Sequence, residues 1–199
     1  MQKLLPVGLN ENMKAVKAIY EASMRPYHSW RHIRAVLGAL HRWLGPELPT
    51  ALEQASLWHD AVYDPKASDN EERSADLCAK HLRETGASDE TIVRAVALIL
   101  ATKKHVPPDG KPDALALLDA DLWILGAAER VYDRYAKLIR REYAHVEEDA
   151  YRAGRSVVLA RFLERDKIYF GDWPGVSRRE TRARANLRRE IARLRGAVD

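Results

Sequence analysis

The chain has 199 residues, 46% hydrophobic and 31% charged, the balance of an ordinary globular domain with room for one core. No apolar run approaches the ~18 residues of a membrane span, and "MQKLLPVGLNENMK" lacks the long apolar stretch of a signal peptide, so no membrane partner and a cytoplasmic location are expected. The net charge of +4 is uneven: residues 151–199 hold 13 Arg or Lys against 6 Asp or Glu, which leaves the remainder slightly acidic. Solvated arginines on an outer helix face are favoured there over a nucleic-acid surface.

Helix punctuation recurs along the chain and alternating β-branched runs are absent, so the fold is expected to be all-α and single-domain. "NENMKAVKAIYEASM" has helical spacing and stops near Pro26. The next helix carries His32, Ile33, Val36, Leu37, Leu40 and Leu44 as an i, i+4 stripe and closes at Gly45-Pro46. Thr50 to Glu53, "TALE", reads as a capping box that opens a helix running to Asp64-Pro65. A second box, "DNEE" from Asp69 to Glu72, opens a helix ending at Gly86, and Ser88 caps one reaching about Thr102. Cys78 lies within "SADLCAKHL" as a small buried hydrophobe rather than a reactive thiol. Beyond a loop with Pro107, Pro108 and Gly110 come "DALALLDADLWILG" and three further helices. These are read from Tyr132, Tyr135, Ile139 and Tyr143, from Val157, Val158 and Phe162, and from Leu187, Ile191 and Leu194. The apolar stripe of the last implies docking on the core, within one chain or across a homodimer.

Four places set imidazole or carboxylate against an apolar stripe: His28 and His32 in "YHSWRHI", His59 and Asp60 in "WHDAVYD", Thr102 and His105 in "ATKKH", and Asp119 and Asp121 in "LLDADLW". Burying such groups unpaired is costly, so they are expected to converge on something that satisfies them. A divalent cation does so, and the absence of thiolate argues against a structural zinc cage.

In the order H, then HD, then D, on separate predicted helices, the chain resembles the HD-domain superfamily of metal-dependent phosphohydrolases, in particular a small branch of predicted phosphohydrolases. The likeness rests also on "DNEERSA", "IRREY", "GRSVVLARFL" and "ETRARANLRREI". It implies an HD-type helical bundle with the metal in a central cleft, a ligand-bearing core over about 25–126 and C-terminal helices over about 127–199. By the same likeness His32, His59, Asp60 and Asp121 hold one divalent ion (Mn, Mg, Co, Ni, Fe or Zn), and Asp119 is a supporting carboxylate. His28 then faces the cleft to bind substrate or relay a proton; the reverse assignment of His28 and His32 stays open, as does a second ion bridged by Asp60. Leu122 departs from the family, standing where many relatives have Arg or Lys near substrate phosphate.

Lys103, Lys104 and His105 are candidates for gripping phosphate, and Glu71 for acid or base work, with Glu72 reserved for its cap. Asp64 is a candidate for orienting a ligand histidine, and Arg140, Arg155 and Arg184 for approaching the pocket. The expected activity is hydrolysis of a phosphate ester of a small molecule, with nucleotides included, by activated water. The rival reading is a metal-bound HD module without turnover, serving ligand binding or regulation.

Overall fold

The computed structural model describes residues 11–23 and 25–196; the opening stretch examined above for a leader, residues 1–10, lies outside them. Among the described residues the chain is all-helical, without a strand: α1 (Glu11–Ala22), α2 (Trp30–Leu44), α3 (Thr50–Trp58), α4 (Asn70–Glu84), α5 (Asp89–Thr102), α6 (Pro112–Asp121), a 3-10 turn (Leu122–Gly126), α7 (Glu129–Glu142), α8 (Glu148–Leu163) and α9 (Val176–Leu194).

α3 is the pivot. It is buried on every side, as its run of small and apolar residues requires, and it packs against α2, α4, α5 and α6. It ends at Trp58, several residues before the expected Asp64-Pro65, so that His59 is its C-cap and Asp60 opens a turn. Arg25 makes this early stop tolerable by donating to the carbonyls of Asp60 (2.5 Å) and Ala61 (2.9 Å), oxygens that no further helical turn satisfies. The buried Ser74 hydroxyl accepts the Val62 N–H at 3.0 Å and fixes the other side of the turn.

Neither capping box forms. Pro49, not Thr50, is the N-cap of α3, and Asp69 caps α4 without a side-chain bond, leaving Glu72 free for another partner. Ser88 does cap α5, accepting the Thr91 N–H at 3.3 Å.

Two hydrophobic clusters divide the chain. The first gathers α1 to α6 around Ile33, Leu40, Leu52, Leu57, Leu98 and Leu117. The second joins the 3-10 turn, α7, α8 and α9 around Leu125, Tyr132, Leu159, Ile168 and Leu187. Cys78 is buried in the first, where burial pushes its thiol up to about 12. Val157 and Val158, expected inward, are largely exposed; the inward residues of α8 are Tyr151, Ser156 and Leu159.

A seam ties the two clusters. Trp43 stacks on Trp173 at 4.8 Å and meets Trp123 edge-on at 4.7 Å. Asp119 on α6 accepts the N–H groups of Phe170 and Gly171 (both 2.8 Å) and the Trp173 indole N–H (2.6 Å). Gly126 lets the 3-10 turn touch α9, since a Cβ there would stand 2.4 Å from the Arg179 carbonyl oxygen. The basic α9 docks within its own chain. Arg184 bonds Glu180 (2.7 Å), the carbonyl of Leu163 that ends α8 and two carbonyls that follow it, and Arg189 bonds Asp133 at 2.9 Å.

Candidate metal centre

α2, the C-cap of α3 and the end of α6 bring three side chains to one point. His32 Nε2 lies 3.0 Å from Asp121 Oδ1 and 3.3 Å from His59 Nε2, and His59 Nε2 lies 3.7 Å from the same Asp121 oxygen. These three form the one group of potential metal-binding residues among those described. Asp60 flanks it, with Oδ2 3.5 Å from His32 Nε2 and 3.3 Å from His59 Nε2. Both imidazoles are buried, while Asp60 and Asp121 show 17% and 14% of their side chains to a cavity.

The donor set fits a divalent ion. Atoms bound about 2.1 Å from a common centre stand about 3.0 Å apart at octahedral right angles and about 3.4 Å apart at tetrahedral ones, and the separations above bracket both. His59 donates Nδ1–H to the Ser56 carbonyl at 3.0 Å, which directs the Nε2 lone pair at the centre. Two imidazoles with carboxylate suit Mn, Fe, Co, Ni or Zn better than Mg, which prefers oxygen.

Electrostatics point the same way. Burial disfavours a charged His59, yet Asp60 and Asp121 outweigh it and raise its pKa well above 6.5. Burial likewise opposes ionisation of Asp60 and Asp121, but the facing histidines hold both carboxyls below the ordinary aspartate value. The cluster therefore demands positive charge at its centre, as a proton or as an ion.

Of the two histidines one turn apart in sequence, His32 faces this centre. His28 lies before the Ser29 N-cap of α2 and is held by Glu142 of α7: His28 Nδ1 is 2.6 Å from Oε2, while the N–H groups of Tyr27 and His28 donate to Oε1 at 2.7 and 2.8 Å. The ring stacks on Tyr63 with centroids 4.0 Å apart. Burial lowers the His28 pKa, but Asp60 and Glu142 reverse the sign and leave it raised; burial raises Glu142, and His28 with the two N–H groups brings it down. Glu142 escaped the sequence reading, although it sits three residues beyond the buried Ile139 on the inward face of α7, where a carboxylate is as anomalous as those singled out elsewhere.

A cavity of about 440 Å³ opens above Asp60 and Asp121, lined by His28 and Tyr63 and by residues of α8 and of the loop after α5. Glu71, Lys103, Lys104, His105 and Arg155 line it; Asp64, Arg140 and Arg184 do not. His105 turns Nε2 to the outer oxygen of Asp121 at 2.9 Å, so it supports that carboxylate rather than standing free for phosphate. Its φ of 47° is a conformation that L side chains seldom adopt, held by Arg165, which donates to the Lys104 and His105 carbonyls at 3.0 Å each.

Other expected roles are redirected. Lys103 bonds the Ser68 carbonyl at 2.7 Å and pairs with Glu72, which replaces the missing cap. Asp64 is exposed and accepts the Lys66 N–H at 2.9 Å; Ser56, through its carbonyl, does the orienting assigned to it. Thr102 returns its hydroxyl to the Ile99 carbonyl at 2.6 Å. Asp119 faces the seam and not the cluster of His32, His59 and Asp121, for three N–H donors claim its oxygens there. Arg140 closes the turn after α7 on Tyr143 O at 2.7 Å, Arg184 staples the segment after α8, and Arg155 is paired with Glu190 at 2.9 Å.

No helix among the described residues is long and apolar enough to cross a membrane. No family model, curated protein or solved structure matches the chain.

Proposed function

We propose that the protein is a metal-dependent phosphohydrolase acting on a phosphate ester of a small molecule. The observation that carries the reading is the convergence of His32, His59 and Asp121, from α2, the C-cap of α3 and the end of α6, beside a cavity that Asp60 and Asp121 line and whose walls carry His28 and several cations. A divalent cation, when bound, supplies Lewis acidity toward a phosphoryl oxygen and makes water a competent nucleophile near neutral pH.

The chain's own residues do the rest. His32, His59 and Asp121 hold the ion, with Asp60 at its edge, and His105 keeps Asp121 in place. Glu142 fixes Nδ1 of His28, so the proton that His28 moves is the one on Nε2, given to the leaving oxygen as the P–O bond breaks. The aromatic rings of Tyr27, Tyr63 and Phe162 exclude bulk water from the cavity and sharpen these interactions.

The test is phosphate release from a panel of phosphate esters and nucleotides by Mn²⁺-reconstituted protein, beside a His59→Ala, Asp60→Ala variant. Release by the wild type and its loss in the variant are expected. Equal release in both sinks the reading, and metal binding without release from any ester replaces it with a silent, ligand-binding module.

A further inference from the structure

The basic residues around the cavity are not equivalent. Lys103 is spent on Glu72 and Ser68, and Glu71, the acidic residue on the same rim, directs its field at Lys103. Arg155 is neutralised by Glu190. Arg165 gives its N–H groups to two carbonyls and lies over the Phe162 ring at 4.7 Å. Lys104 and Arg161 also line the cavity, and among the described residues neither side chain has a hydrogen bond or ion pair.

Arg165 grips the carbonyl of Lys104 and so ties the loop after α5 to the segment that follows α8, the helix that carries Arg161. Depth separates them from the reacting end of the cavity. His32 and His59 are buried behind Asp60 and Asp121, which line it, whereas Lys104 and Arg161 are exposed at its mouth. The lining also includes Leu122, Val158 and Phe162, which offer nothing to an anion.

From this arrangement we infer that the substrate carries a second phosphoryl group, joined to the first through a carbon-rich segment and held at the mouth by Lys104 and Arg161. The inference rests on the phosphohydrolase reading for the identity of the first group. A lysine and an arginine with no internal partner match a dianionic phosphate, and Leu122, next to Asp121, adds no charge to the cavity wall.

The test uses a matched series on the Mn²⁺-loaded full chain: butyl phosphate, butane-1,4-diol bisphosphate and 4-phosphooxybutanoate. After a twofold allowance for its two identical ends, the bisphosphate is expected to exceed butyl phosphate about tenfold in kcat/KM, as two charge-assisted contacts imply. In Lys104→Ala, Arg161→Ala, whose fold is checked by its melting temperature, that ratio should fall to within about twofold of unity. A wild-type ratio near unity, or a ratio that survives the double substitution, overturns the inference. A carboxylate arm matching the bisphosphate overturns the assignment to phosphate. If no compound releases phosphate, the activity reading fails separately, and the same three compounds are compared by calorimetric Kd on the same two proteins, where the same ratios decide.

Discussion

Replacing Glu142 by Gln removes one charge and almost no volume, and its effect can be worked out on both stability and pH. The carboxylate accepts from the N–H groups of Tyr27 and His28 and faces His28 Nδ1, with 3% of its side chain exposed. Gln retains one acceptor for the two backbone donors but sets an amide N–H₂ against Nδ1–H. Losing one buried, charge-assisted contact costs about 1.5–3 kcal/mol, or about 3–12 °C in melting temperature for a chain of this size. Glu142 is depressed below 4.5, so its contribution is present above pH 4.5 and is lost as pH falls through the lower folded value. His28 is raised above 6.5, so its share is complete below pH 6.5 and is lost as pH rises through the higher folded value. The difference in melting temperature between wild type and Glu142→Gln should therefore be greatest between about pH 4.5 and 6.5 and shrink on both sides. Calorimetric melts from pH 3.5 to 9 check it; a difference that is flat across that range refutes the His28–Glu142 pair as the source.

Divalent metal should stabilise the folded chain: Mn²⁺ or Zn²⁺ at about 100 times its Kd adds about 2.7 kcal/mol, a rise of roughly 5–11 °C, absent in His59→Ala. That rise should diminish as the solution is acidified, since the ion competes with the proton that Asp60 and Asp121 favour on His59. Asp119→Asn should lower stability by about 2–4 kcal/mol in urea and weaken the near-ultraviolet signal of the Trp43–Trp173 stack, because an amide group then faces backbone and indole N–H donors. A urea midpoint unchanged by that substitution rules out the anchoring role of Asp119.

The helices were legible wherever an i, i+4 apolar stripe coincided with strong punctuation, as in α2 and in α5 with its Ser88 cap. The end of α3 was not, because what stops it is Arg25, far away in sequence, taking the carbonyls of Asp60 and Ala61. Local pattern also misled at the capping boxes: Glu72 has the right spacing for a cap, but a lysine from another helix competes for it and wins. For the site, polar residues on apolar stripes were a sound guide to what converges, and His32, His59, Asp60 and Asp121 do meet. They were a poor guide to which neighbour each side chain would choose. Asp119 stands only two residues before Asp121, yet Asp119 serves the tryptophan seam while His105, from a distant loop, serves Asp121. Such choices depend on the C-terminal helices, whose placement no local signal encodes.

The two hydrophobic clusters divide the labour of the cavity. His32, His59 and Asp121 stand on elements of the first, whereas Arg161, Val158 and Phe162 belong to α8, a helix of the second. Exchanging residues along the outer turns of α8 can thus reshape the cavity wall while the packing around His32, His59 and Asp121 stays intact. A chain organised this way can vary one wall of its cavity by drift in one half of its sequence, with the other half held constant.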